Sequence, residues 1–151
     1  MKPGCFMKAI YSTLLLLLFT GLTACQHPQT AERKDNLYQA LGERQGIEAI
    51  VEDLLYLIVE DERIAFQFKG IEVDHFHQQL SDQICVLSGG PCQYTGREMR
   101  ESHSAMNVTE TQFNALTENL ILAMEQNGVT TGAQNRLLAL LAPLHEDIRG
   151  L

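Results

Sequence analysis

A chain of 151 residues has room for one domain, and a 45% hydrophobic share is enough to fill a single core. The formal charge is −8 and no basic stripe is present, which argues against nucleic acid as a partner.

The first segment reads as an address. Lys2 and Lys8 make a positive start, and residues 9–22 form an apolar run that is short for a membrane-spanning helix. The run ends in Leu22-Thr23-Ala24-Cys25, which resembles a bacterial lipobox. That resemblance implies cleavage before Cys25, with lipid on its sulfur and on the new amino terminus. More than one acyl chain makes such an anchor stable. The plainer alternative is an ordinary secretory signal with a chance cysteine. Residues 1–24 are therefore expected to be a lipoprotein signal peptide, 25–35 a lipid-attached tether, and 36–151 the folded domain. Gln26 after Cys25 points to the outer membrane, periplasmic face, if the source is Gram-negative. Without Lys2 and Lys8 the charge of −8 becomes −10.

From residue 36 onward the pattern is helical, with no alternating strand signal. Asp35 or Asn36 can cap a short opening helix through Leu41 that Gly42 ends. The spacing of Ile47, Ile50, Val51, Leu54, Leu55 and Ile58 predicts a helix over 46–59 with one buried stripe. Residues 61–63 turn the chain, and 64–68 form a compact apolar turn closed by Gly70. A helix over 74–87 follows, with Phe76, Leu80, Ile84 and Leu87 on one face. Thr109 and Gln112 form a capping box for a helix carrying Phe113, Leu116, Leu120 and Met124, stopped by Asn127-Gly128. Thr130 or Thr131 starts the last helix, with Leu137, Leu138, Leu141, Leu144 and Ile148 inward. Pro143 lies inside that pattern and should kink or loosen it. About five helices in an all-α bundle explain these periodicities without any ligand.

Between the helix over 74–87 and the one that Thr109 caps, Gly89-Gly90-Pro91 breaks the chain and Tyr94-Thr95-Gly96 turns it into a short helix with Met99 and His103. Residues four apart share a helix face, so a thioether and an imidazole point the same way. A lone histidine there fits a packed or capping residue as well as the wall of a flat, iron-centred ligand. Cys5 leaves with the leader and Cys25 is modified, so Cys85 and Cys92 remain. The reversal at Gly89-Gly90 could bring them together, and an oxidising compartment would favour a disulfide; two unrelated thiols are the alternative.

Order and spacing of these elements are similar to the truncated haemoglobins of group 1. The resemblance runs from about residue 37 to 148. It is carried by Ile50-Val51-Glu52-Asp53-Leu54, Phe68-Lys69-Gly70, Gly89-Gly90-Pro91, Tyr94-Thr95-Gly96 with Met99, Arg100 and His103, Val108-Thr109 with Phe113, and Ala142-Pro143-Leu144. It implies a two-over-two helical sandwich around haem b, with His103 as the proximal iron ligand. Phe68 would pack on the porphyrin, and Met99, Phe113, Leu116, Leu137 and Leu141 would line its pocket. Tyr94 and Arg97 would lie near a propionate edge.

The chain departs from the family on the distal side. Where relatives often have a tyrosine that donates to the gas, this sequence has Leu55, and Tyr56 is turned about 100° away. Phe76 and Leu80 stand where the distal helix usually offers glutamine, leaving Gln79 and Gln83 as the polar groups in reach, with His75 and His77 flanking Phe76. One of those histidines could reach iron as a second axial ligand, but not both. The expected function is reversible binding of a diatomic gas, oxygen first, as a membrane-anchored carrier or store. A nitric oxide dioxygenase or peroxidase-like enzyme is the alternative, weakened by Leu55 and by the lack of a flavin or dinucleotide motif to donate electrons. A haem-free helical lipoprotein for partner contacts is the third reading. His145 is expected to be solvated or capping.

Overall fold

The computed structural model describes residues 36–150, so the expected signal peptide, tether and lipidated Cys25 lie outside the described residues. Six α-helices and two 3-10 turns follow one another: α1 Leu37–Ala40, α2 Glu43–Glu60, a turn over Ala65–Phe68, α3 Val73–Leu87, α4 Met99–His103, α5 Glu110–Gln126, α6 Thr131–Leu141, and a turn over Ala142–Asp147. Among the described residues no strand forms; a single isolated bridge pairs Val108 with Arg149.

The helix starts follow side-chain chemistry. Asn36 accepts the Tyr38 amide at 3.2 Å, and Thr130 accepts that of Ala133 at 3.4 Å. At α5 the capping box closes both ways, the Thr109 hydroxyl on the Gln112 amide and the Gln112 side chain on the Thr109 amide. Pro143 cannot supply an amide to the helical ladder, and α6 gives way there to the 3-10 turn.

Helix α2 is the centre of the molecule, packing against both α3 and α5, while α1 reaches α6. Ile47, Ile50, Val51, Leu54 and Ile58 are fully buried along one side of it. They meet Ile84 and Cys85 of α3, Ala115, Leu120, Ala123 and Met124 of α5, and Leu137 of α6 in one core. The predicted helix over 46–59 starts three residues earlier, because Gly42 and Glu43 both take left-handed backbone, at φ 83° and 57°. Gly42 does so without strain, whereas Glu43 occupies a conformation that costs an L-residue about 1 kcal/mol.

Two polar clusters fix helix ends that periodicity alone leaves open. The Arg44 guanidinium bridges Glu48 and the buried Asp82 carboxylate of α3, and its Nη1 lies 3.6 Å from Cys92 Sγ. Hydrogen bonding to Asp82 foremost, then to Glu48, raises the Arg44 pKa, so this cation stays charged. At the other end of α2, Arg63 grips Asp61 while also reaching Glu118 of α5, and Asn119 donates to Asp61. Those donors hold the Asp61 carboxyl far below the usual carboxylate range. The sign is that of a depressed acid: the contribution is in place above the ordinary aspartate pKa and is lost only as the pH falls through the lowered value.

A disulfide joins Cys85, at the buried end of α3, to Cys92, past the Gly-Gly-Pro break, with Cα atoms 5.9 Å apart. Gly90 makes the reversal possible. A Cβ there would come within 2.5 Å of Cys85 Sγ and 2.6 Å of the Tyr38 ring.

Candidate functional site

Helix α3 presents two adjacent stripes. Ser81, Asp82, Ile84 and Cys85 are buried against the core. Phe76, Leu80, Gln83 and Leu87 lie beside them and are only half-buried, so this part of the predicted face is rolled away from the closed core except at Ile84. The same half-open state recurs at Leu55 of α2, Phe68 of the first turn, Met99 of α4, Phe113 and Leu116 of α5 and Leu141 of α6. Leu137, also expected to line the pocket, is fully buried within the core cluster. So many large apolar side chains stopped at partial burial, on facing elements, form the kind of wall that an apolar ligand completes.

The aromatic contacts divide between two places. Phe68 and Phe76 meet edge to face with ring centroids 5.5 Å apart. Phe113 meets the His145 ring at 4.6 Å, also edge to face, and His145 Nε2 lies 3.2 Å from the Glu110 carboxylate. His145 is thus half-buried with two partners, and the expectation of a solvated or capping residue is corrected. The reason is the 3-10 turn, which swings residue 145 back over α5.

His103 is half-buried near the end of the five-residue α4, with Nδ1 2.8 Å from the Met99 carbonyl oxygen. A carbonyl oxygen only accepts, so Nδ1 carries a proton, and the neutral tautomer selected in this way has its lone pair on Nε2. A hydrogen bond on one ring nitrogen that orients the other is the usual preparation of a histidine ligand. Directly after it, Ala105 and Asn107 take left-handed backbone at φ 66° and 50°. None of the five residues of α4 is buried, so this helix has little packing of its own.

Polar groups gather at the junction of α3 with the loop that leads to α4. Gln83 Nε2 lies 3.3 Å from Met99 Sδ. Gln79 Oε1 is buried with no hydrogen-bond partner among the described residues. It converges with Tyr94 on Gly96, where an added Cβ would stand 2.6 Å from Gln79 Oε1 and 2.4 Å from the Tyr94 hydroxyl. That hydroxyl donates to the Arg97 carbonyl at 2.8 Å. Burial first, and then the Glu98 charge, push the Tyr94 pKa up, so the phenol stays neutral. Gln83, Tyr94 and Met99 also line a cleft of about 160 Å³ together with Val86, Leu87, Glu98 and Leu144.

Two further expectations concern the other distal candidates. Tyr56 is 67% exposed, turned away from the core as its place on the helix requires. His77 Nε2 lies 3.0 Å from the Glu48 carbonyl oxygen, which ties its ring to α2, and His75 is exposed. In this arrangement neither is poised as a second axial ligand. Among the described residues no group of three or more His, Cys, Asp or Glu side chains could hold a bare metal ion. A single imidazole oriented through Nδ1, with Nε2 left to coordinate, suits a metal carried in its own macrocycle.

A family model described as bacterial-like globin matches residues 36–150. A group 1 truncated haemoglobin of Tetrahymena pyriformis is 30% identical over 118 residues, which cover 78% of this chain and 98% of that one. The chain belongs to the group 1 truncated haemoglobins. Another relative, from Nostoc commune, is 31% identical over 69% of this globin and 86% of its own length. The Fe(III) crystal structure of the Tetrahymena pyriformis protein superposes with a TM-score of 0.74 at 31% identity, covering 76% of this chain and 98% of that one. A Synechococcus 2/2 haemoglobin with covalently attached haem, 24% identical, shares the fold at a TM-score of 0.70 over 75% of this chain and 97% of its own. The fold is therefore the all-α truncated globin sandwich, and the cofactor of this globin is haem b.

Some of the site lay beyond sequence reasoning. The Gln83–Met99 contact and the Phe113–His145 pair join residues 16 and 32 apart, and neither has a local pattern. Asp82 gave no clear signal, since it stands between polar Ser81 and Gln83 on α3.

Proposed function

We propose that this globin binds a diatomic gas reversibly, oxygen foremost, with His103 as the proximal ligand, and that Cys25 anchors it to a bacterial membrane. The observation that carries the reading is the His103 hydrogen bond to the Met99 carbonyl, which orients the ring and leaves Nε2 as the nitrogen to coordinate. When bound, the haem supplies a ferrous centre able to hold a gas molecule without consuming it. Phe68, Phe76 and Leu80 on one side and Met99, Phe113 and Leu141 on the other would hold the macrocycle and keep water from it. Gln79 and Tyr94 are polar groups that converge on Gly96, and the orphan Oε1 of Gln79 suits a partner that brings its own donor, water included.

On the gas side, Leu55, Phe76 and Leu80 offer no donor, which leaves Gln79 and Gln83 as the polar groups in reach. Oxygen release is therefore expected to be fast. Leu55→Tyr would add a hydroxyl donor worth about 1 kcal/mol, and should slow release by roughly five- to ten-fold. Stopped-flow measurement on the reduced domain is the test; slow release that Gln79→Ala and Gln83→Ala leave unchanged would contradict this account of the distal side.

The anchoring half of the proposal rests on Leu22-Thr23-Ala24-Cys25. Cys25→Ala should move the protein from the membrane to the soluble fraction of a fractionated bacterial cell. A Cys25→Ala chain that stays with the membrane, or a native chain whose Cys25 carries no acyl mass, would refute it.

A further inference from the structure

Helix α4 carries His103 yet buries no residue, and it is followed by two left-handed non-glycine residues. Its position has to come from contacts outside itself. Besides the Gln83–Met99 contact with α3, those contacts come from the C-terminal turn over Ala142–Asp147. The Arg100 guanidinium, one residue after Met99, donates from Nε and Nη2 to Asp147 Oδ1 at 3.1 and 2.7 Å. Beyond α4, the Gly150 amide donates to the Val108 carbonyl at 3.1 Å, and Arg149 pairs with Glu110 at 3.3 Å. The His145 ring, on the same turn, rests on Phe113. The turn exists because Pro143, two residues after Leu141, cannot continue α6.

We infer that the C-terminal turn is a brace for the proximal side, and that Arg100 and Asp147 are positioning residues for His103. The Arg100–Asp147 bond fixes the rotation and height of α4. The Met99 carbonyl rides on the same helix, so the pair also sets the hydrogen bond that orients the imidazole. Both partners are partly exposed, so salt screens the pair and its hold on α4 should weaken as ionic strength rises. The inference rests on His103 being the iron ligand.

The test uses the full domain with haem loaded, in the ferrous state without gas. The iron–histidine stretching band in resonance Raman spectra reads the proximal bond itself, which a purely structural contact would leave alone. Asp147→Asn is expected to shift that band and to speed amide exchange in α4 by about five-fold, with the melting temperature little changed. Arg100→Gln should do the same. The charge-reversed pair, Arg100→Asp with Asp147→Arg, should move both readouts back toward the native values. High salt should shift the native band and leave that of Asp147→Asn in place. A band unmoved by Asp147→Asn and by Arg100→Gln would overturn the inference, even if α4 exchanges faster. So would a reversed pair that behaves like the single variants. Absence of any iron–histidine band in the native protein would instead remove the assignment of His103, a distinguishable failure.

Discussion

His103→Ala should yield a globin that folds but holds haem far more weakly, with its Soret band reduced or lost and partly restored by added imidazole. The expectation follows from the local chemistry. Nδ1 of His103 is committed to the Met99 carbonyl, so Nε2 is the atom left to coordinate, and removing the ring takes away the ligand together with its orientation. The loss should exceed the roughly 10- to 100-fold in affinity that removal of a mere supporting partner costs a metal site. Titration of apo-domain with hemin, followed by absorption, gives the number. Two results would sink the assignment: a variant whose spectrum and hemin affinity match the native protein, or a native domain that rejects hemin. Because α4 contributes no buried residue to the core, the apo variant should unfold close to the midpoint of the native apo-domain. That keeps a binding defect separable from a folding defect.

Gly46→Ala should be the most damaging small change in the molecule, lowering stability by about 3 kcal/mol in a denaturant titration. Helix propensity alone predicts the opposite sign, since alanine in a helix is favoured over glycine by about 1 kcal/mol. The contact decides. A Cβ at Gly46 would lie 2.2 Å from the Leu41 carbonyl oxygen, a backbone atom that cannot rotate away. Gly42 crowds the same crossing from the other side, its Cβ position 2.9 Å from Gly46 Cα, and its backbone is left-handed as well. Relief would require α1 to lift off the start of α2, carrying Leu37 and Leu41 out of the core. A variant as stable as the native domain would mean that α1 is free to shift, and that the crossing is not a constraint.

Much of this was legible because helix periodicity and capping are local properties. Thr109 with Gln112 marked a helix start, and Pro143 marked a break in the last helix where the structure changes to a 3-10 turn. The family resemblance came from side chains at fixed distances along the chain, which a conserved spacing of elements preserves. What periodicity could not supply was which apolar residues stay half-open. Leu54 and Leu55 look alike in sequence, yet Leu54 is fully buried and Leu55 is not, because a rotation of about 100° takes the second off the core. Nor could it place His145, whose neighbours are set by the direction in which the chain leaves Pro143. Glu43 is a different case. A glycine would be favoured at its backbone angle, and the helix starts there because the Gly46 and Leu41 crossing dictates the turn, not because of any preference of glutamate.

The Cys85–Cys92 bridge bears on how this globin should be prepared. A domain of residues 36–151 expressed in a reducing cytosol would carry two thiols where the structure has a bond. The loop bearing Tyr94, which leads straight into α4, would then lose its covalent tie to α3. Haem-loss rates and spectra from such material would describe the dithiol chain, a looser molecule at the very segment that carries His103. Expression through an oxidising compartment, or reoxidation checked by thiol counting before hemin is added, gives the globin whose properties matter.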